Sequence, residues 1–252
     1  MSLIELKNVK KRFGHQTVLN GVDLAIEAGQ SLVILGASGS GKSVMLKHIT
    51  GLLKPDDGEI WFDGHRVDTL PERKLVPIRK RFGFLFQMGA LFDSLTVQEN
   101  IGFPLVEHTR KDRDEIKNIV ERKLRLVGLP DVGHKMPAEL SGGQRKRIGL
   151  ARAIALDPEV ILYDEPTTGL DPIRSDVINE LIIKLQRELK VTSIIVTHDM
   201  ISAFKIADRI VMLHEGRLIF DGTPEEARTT DNEIVRRFVA GEASEADLTA
   251  LQ

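Results

Sequence analysis

The chain of 252 residues has no cysteine. Disulfides, zinc–thiolate sites and thiol catalysis are therefore excluded, and a reducing compartment is permitted. No apolar run approaches the roughly 18 residues that a membrane span needs. The first residues, Met1-Ser2-Leu3-Ile4-Glu5-Leu6-Lys7, lack the apolar core of a signal peptide. If the protein works at a membrane, another chain does the spanning. A charge surplus is missing too: Lys and Arg number 35 against 37 Asp and Glu, a net charge of −2. The molecule as a whole does not advertise binding to nucleic acid or to an anionic membrane. With 42% hydrophobic and 29% charged residues, the composition is that of an ordinary globular protein, and the length suits one large domain or a domain with a sub-lobe.

One stretch organises the rest. Leu32-Val33-Ile34-Leu35 reads as a buried strand, Gly36-Ala37-Ser38-Gly39-Ser40-Gly41-Lys42-Ser43 follows, and Val44–Ile49 reads as a helix ended near Gly51. Strand, glycine-rich turn and helix are the setting of a phosphate-binding loop. The glycines let the backbone curl its N–H groups inward, and the helix terminus adds partial positive charge. Lys42 is placed to reach the β- and γ-phosphates, and the Ser43 hydroxyl to ligate Mg²⁺. The third glycine of a dinucleotide fingerprint is absent, since Val44 stands in its place.

Upstream, residues 3–35 look like short strands separated by turns at Asn20-Gly21 and Ala28-Gly29. Phe13 reads either as a core residue or as a platform for an adenine ring. Downstream, Glu59–Phe62 and Phe82–Phe86 read as strands, the second ending at Gln87, with a basic, proline-punctuated stretch between them. Such a charge cluster is usually a solvated face. From about residue 88 the pattern turns helical: Ile116, Ile119, Val120, Leu124 and Val127 share one face, and Ser141 caps a helix running to about Leu156. Residues 88–157 thus read as a helical lobe inserted into an α/β core. Val160–Tyr163 and Ser193–Val196 read as buried parallel strands. Between them Asp171 caps a helix with Val177, Leu181, Leu185 and Leu189 on its buried face. Residues 209–220 read as a hairpin. Repeated strand–helix alternation predicts a mostly parallel sheet with helices on both faces. Residues 223–252 carry an excess of acid and taper into a tail expected to be mobile or partner-dependent.

Two further stretches bear on chemistry. Val160–Glu165 puts adjacent carboxylates at a strand end, where Asp164 can hold Mg²⁺ through its water shell and Glu165 can take a proton from, or orient, an attacking water. Leu140-Ser141-Gly142-Gly143-Gln144 has chance odds of roughly a few in ten thousand at ordinary residue frequencies. It opens a helix, so it is a second anion-binding terminus. One chain with two such termini is reconciled if the second serves a nucleotide bound by another copy.

In this order the motifs resemble the nucleotide-binding subunit of an ABC transporter, over about residues 2–225. The resemblance implies an α/β P-loop NTPase with a mostly parallel sheet, an N-terminal antiparallel β subdomain and an inserted helical subdomain. The core would be residues 1–87 and 158–222, the helical lobe 88–157, and a C-terminal helix with its acidic tail 223–252. It implies ATP and Mg²⁺ as cofactors, with Phe13, Gly36 through Ser43, and Val44 holding the nucleotide, and Ser43, Gln87 and Asp164 the metal. Glu165, His198, Gln87 and Lys42 would be the catalytic set. Two copies would sandwich two ATP molecules, with Ser141, Gly142, Gly143 and Gln144 facing the P-loop of the other copy and, together with Asp171, binding the nucleotide. The segment Phe86–Val97 is similar to that of the Mla/Mce-type phospholipid transport ATPases of double-membrane bacteria, as is Asp164–Pro172. That likeness implies permease subunits, a small STAS-domain regulatory subunit and an MCE-type lipid-binding protein as partners, no nucleic acid, and a place on the cytoplasmic face of the inner membrane. Its alternatives are another ABC importer or a soluble ABC ATPase acting on DNA or ribosomes. A P-loop kinase would leave Leu140–Gln144 and His198 without a job.

Overall fold

A long antiparallel hairpin opens the structure. In the computed structural model, which describes residues 2–242, β1 (Ser2–Phe13) pairs with β2 (Gln16–Glu27). Asn20-Gly21, expected as a turn, lies inside β2. Gly21 (φ 79°) meets Asn8 (φ 49°) at a register shift between Leu6 and Val9, and a Cβ on Gly21 would stand 2.9 Å from Asn8 Oδ1. The pair is a bulge, which moves burial from Ile4 and Leu6 to Val9 without ending the strand. β3 (Ser31–Leu35) follows, buried along its whole length, which is why its sequence is continuously apolar rather than alternating. After α1 (Lys42–Ile49), β4 (Asp57–Phe62) and β5 (His65–Arg66) complete a four-stranded sheet in the order β2-β1-β4-β5.

The chain divides into two compact units. One comprises the residues up to Thr69 together with those from Val196 on; the other is Leu70–Ile195. The second unit holds α2 (Glu72–Arg79), β6 (Phe82–Leu85), α3 (Val97–His108), α4 (Arg113–Leu126), α5 (Gly142–Ala153), β7 (Val160–Asp164) and α6 (Pro172–Leu189), and most of β8 (Thr192–Val196). β6 and β7 pair in parallel. Helices α3, α4 and α5 start on reciprocal capping boxes, Thr96 with Glu99, Asp112 with Glu115, and Ser141 with Gln144. Ile148, Ala151, Ile154 and Ala155 are buried, as their spacing requires. On α6 the buried face is Ile178, Leu181, Ile182 and Leu185, while Val177 is 47% exposed. A pure i+4 row drifts about 40° per step around a helix, so alternating steps of three and four stay on one face and 177, 181, 185, 189 do not.

The first unit resumes with α7 (Met200–Ile206), β9 (Arg209–His214), β10 (Arg217–Gly222), α8 (Pro224–Thr229) and α9 (Glu233–Ala240). β9 lies parallel to β3 and antiparallel to β10. The single C-terminal helix expected is thus two short ones. The acidic tail with Leu248 and Leu251 as anchors lies outside the described residues. Arg66, Arg79 and Arg81 of the basic stretch are ion-paired. Arg66 meets Glu59 at 2.7 Å and Asp68 at 3.0 Å, Arg81 meets Glu159 at 2.6 Å, and Arg79 meets Glu72. Among the described residues no helix is long and apolar enough to cross a membrane.

Asn100, fully buried on α3, holds the preceding loop. Its amide donates to the carbonyls of Phe92 (3.0 Å), Leu95 (3.0 Å) and Thr96 (3.1 Å), and its oxygen accepts from the Phe92 N–H (2.8 Å). Asn100→Ala leaves these groups without a partner and should cost about 2–4 kcal/mol in urea unfolding. A loss below about 0.5 kcal/mol would show that water replaces the amide.

Candidate functional site

The first unit carries the glycine-rich loop, Phe13 and His198. Gly36, at φ 155°, follows β3, and a Cβ there would lie 2.4 Å from the Leu213 carbonyl of β9 and 2.6 Å from Ser40 Oγ. Gly41, at φ 104°, would bring a Cβ within 2.9 Å of Val18 in β2. The turn is pressed between backbone on both sides, while Ala37, Ser38 and Gly39 face solvent. Lys42 is 6% exposed, and its ammonium donates to the carbonyls of Gly36 (2.8 Å) and Ala37 (2.9 Å). Ser43 is exposed and Val44 half-buried at the first turn of α1. The buried Ser40 hydroxyl has no hydrogen-bond partner within the protein. A glycine cradle with a buried, unengaged hydroxyl fits a phosphate.

His198 joins this loop through the backbone. The Thr197 N–H donates to the Ile34 carbonyl (3.3 Å), which sets Thr197 and the exposed His198 beside the end of β3. Asp199 then caps α7 by accepting from the N–H groups of Ile201 and Ser202. Phe13, at the end of β1, is 49% exposed, with the Lys11 ammonium 5.6 Å above its ring. That exposure is the opposite of a core residue.

The second unit carries Gln87, Ser141–Gln144, Asp164, Glu165 and Asp171. Asp164 ends β7 and is half-buried. Glu165 has φ 50°, a left-handed conformation that costs a side-chain-bearing residue about 1 kcal/mol or more. Its carboxylate accepts from the Thr168 hydroxyl at 3.2 Å. At the start of α5, Ser141 Oγ accepts from the Gln144 N–H (3.3 Å) and Gln144 Oε1 accepts from the Ser141 N–H (2.9 Å). A hydroxyl that accepts here keeps its own hydrogen to donate. Gly142 and Gly143 approach Leu170, and Gly143 also approaches Arg174. Asp171 caps α6 by accepting from the Arg174 N–H at 2.9 Å. Gln87 is exposed just beyond β6. Gln87 and Asp164 here, and Ser43 in the first unit, each carry a side-chain oxygen, the donor type a hard cation such as Mg²⁺ takes.

Three residues escaped the sequence reading. Lys146 is 4% exposed on the inner face of α5, and burial lowers its ammonium pKa to about 8 while the Glu165 carboxylate opposes that shift. It donates to the carbonyls of Glu165 (3.3 Å), Pro166 (2.8 Å) and Thr168 (2.7 Å). Arg152 donates to the Gly89 carbonyl (3.0 Å), and Gly149 allows that carbonyl to approach α5. The signal was present for Lys146: a lysine three residues after Gly143 and four before Leu150 sits on an otherwise apolar helical face.

Around the Gln87 loop lies a cavity of about 530 Å³ lined by Phe86, Phe92, Phe103, Pro104 and Arg152 among others. The rings of Phe92 and Phe103 are 4.8 Å apart. Met88 is 74% exposed, and Leu91 and Leu95 are half-buried.

A P-loop on a parallel strand, an antiparallel β sheet and a three-helix lobe opening on Ser141-Gly142-Gly143 define an ATP-binding cassette. The chain belongs to the ABC transporter family, whose model matches residues 19–168. It is 45% identical over 238 residues to a probable ribonucleotide transport ATP-binding protein of Mycobacterium leprae, covering 94% of this chain and 69% of that one. It is 43% identical over 242 residues to the intermembrane phospholipid transport system ATP-binding protein MlaF of Haemophilus influenzae, covering 96% and 92%. A dimeric ATP-binding cassette solved in a post-hydrolysis state with ADP and Pi superposes with a TM-score of 0.81 at 35% identity, covering 88% of this chain and 98% of that one. The protein is an ATPase of the ABC type, coupling ATP hydrolysis to transport.

The crowding at Gly36 makes a firm prediction. Gly36→Ala puts a methyl group against the Leu213 carbonyl, which is backbone and cannot swing aside. We expect a loss of more than about 2 kcal/mol in urea unfolding. Unchanged stability would mean that the loop does not hold this conformation in solution.

Proposed function

We propose that the chain is the ATP-hydrolysing subunit of a transporter that moves phospholipid between the inner and outer membranes of a bacterium. The observation that carries the cargo is the near end-to-end likeness to a phospholipid transport ATPase, which spans 92% of that relative. In this reading two copies close around two ATP molecules. Phe13 stacks on adenine, Gly36–Val44 cradle the phosphates, and Lys42 leaves its loop carbonyls for the β- and γ-oxygens. Ser43, Gln87 and Asp164 hold Mg²⁺, which when bound neutralises phosphate charge. Glu165 orients the attacking water and takes its proton, and His198 contacts the γ-phosphate. Ser141, Gly142, Gly143 and Gln144 grip the γ-phosphate of the other copy's ATP with the helix terminus and the free Ser141 hydrogen, and Asp171 holds the adjoining loop. The parts divide as a core of 1–87 and 158–222, a helical lobe of 88–157 and a C-terminal piece of 223–252. The subunit works at the cytoplasmic face of the inner membrane beside permease chains, a STAS-domain subunit and an MCE-type lipid-binding protein. A permease helix seats its apolar side in the groove at Phe86, Phe92 and Phe103.

The name of the mycobacterial relative favours a second cargo, a ribonucleotide. Purification of the tagged chain with its membrane partners separates the two. Phospholipid should copurify and stimulate ATP hydrolysis, ribonucleotides other than ATP should not, and Leu91→Glu should release the partners with ATP binding intact. Stimulation by ribonucleotides alone would overturn the lipid reading. Catalysis is tested independently. Glu165→Gln should bind ATP normally yet hydrolyse it on the order of 10²–10⁴ more slowly, and accumulate as an ATP-bound dimer. Near-normal turnover in that variant would refute the role given to Glu165.

A further inference from the structure

We infer that Lys146 is a positioning residue for hydrolysis: its buried ammonium grips the turn after β7 and fixes the backbone from which Glu165 acts. The inference rests on the proposed role of Glu165 as the group that orients water.

An ammonium carries three N–H donors, and here three backbone carbonyls receive it, those of Glu165, Pro166 and Thr168. All three belong to the turn that begins with a left-handed Glu165. A non-glycine residue keeps that conformation only where its surroundings over-determine it. The Thr168 N–H donating to the Glu165 carbonyl (3.3 Å) and the Thr168 hydroxyl on the Glu165 carboxylate (3.2 Å) are two of the restraints. Lys146 is the charged one, and charged donors in a dry interior hold carbonyls more firmly than neutral ones. It comes from α5, the helix whose first turn presents Ser141 and Gly142. One rigid helix therefore supports the anion-binding terminus with its first residues and the Glu165 turn with its next turn. A shift of about 1 Å in a catalytic group is enough to cost on the order of 10²-fold in rate.

Steady-state ATP hydrolysis by the full chain tests this. Lys146→Met keeps the stem and removes the donors. It should lower kcat by about 10–100-fold with the KM for ATP changed less than about threefold. Lys146→Arg, which restores charged donors, should recover kcat to within about fivefold of the unsubstituted chain. In a Glu165→Gln background, Lys146→Met should cost less than about twofold more, because both changes act through one group. Three results would overturn the inference: a kcat within twofold of normal in Lys146→Met, a rise in KM alone, or an equal loss in the Glu165→Gln background. Normal turnover by Glu165→Gln by itself would instead remove the reading of Glu165. If Lys146→Met does not fold, Lys146→Gln, with two neutral donors, replaces it. A fall in kcat at constant KM then supports the inference, and unchanged kcat sinks it.

Discussion

Parallel pairing of β3 with β9 leaves no room for a side chain at residue 36, and the nucleotide loop takes its shape from that. The Leu213 carbonyl occupies the space a Cβ would need, Val18 closes the other side at Gly41, and Gly36, Gly39 and Gly41 take positive φ values that favour glycine. The loop is therefore shaped by the sheet beneath it rather than by its own propensities. The same β3 end receives the Thr197 N–H, so a backbone bond next to His198 registers it against the loop.

Two buried lysines use one physical device in the two units. Lys42 turns its ammonium onto the carbonyls of Gly36 and Ala37, and Lys146 turns its own onto Glu165, Pro166 and Thr168. A charge removed from water needs replacement ligands, and turn carbonyls that lack partners from secondary structure supply them. The outcomes differ because the surroundings differ. Lys42 sits at the mouth of an exposed loop, where phosphate oxygens can outcompete neutral carbonyls for it. Lys146 is buried on the inner face of α5, where no exchange of partners is open to it, so it acts as a fixed brace.

How much of this could be read in advance follows from which kind of force fixed each element. β3, β7 and β8 are buried on both faces, so they appear as unbroken apolar runs and are legible. The capping residues Ser141 and Asp171 are legible because helix starts need particular side chains. The bulge at Gly21 was not, because Asn-Gly favours a turn and a bulge equally well, and only pairing with Asn8 decides between them. Helix α2 lies in the basic, proline-punctuated stretch read only as a solvated face, where Pro77 hides the helical pattern although Glu72 opposite Arg79 neutralises part of that charge. Asn100 was missed because its partners are backbone groups, which every residue has and no sequence displays; the place of Lys146 on an apolar helical face was visible, but its carbonyl partners were not.

The same limit explains the asymmetry between family and cargo. In the proposed reading, ATP chemistry is written in glycines, caps and carboxylates whose spacing the backbone enforces, so the motifs Gly36–Ser43, Ser141–Gln144 and Asp164–Glu165 would carry it within this one chain. A cargo carried through a permease need not touch any of these residues. In the proposed reading, what this chain contributes to its choice is the docking surface at Phe86, Met88 and Phe92, where apolar area stays open to solvent. Apolar patches of that kind select a partner by shape, and the partner in turn selects the cargo. Relatives that share the cassette but differ in named cargo are the expected consequence. Differences among them around the Gln87 loop therefore bear more directly on specificity than differences in the nucleotide loop.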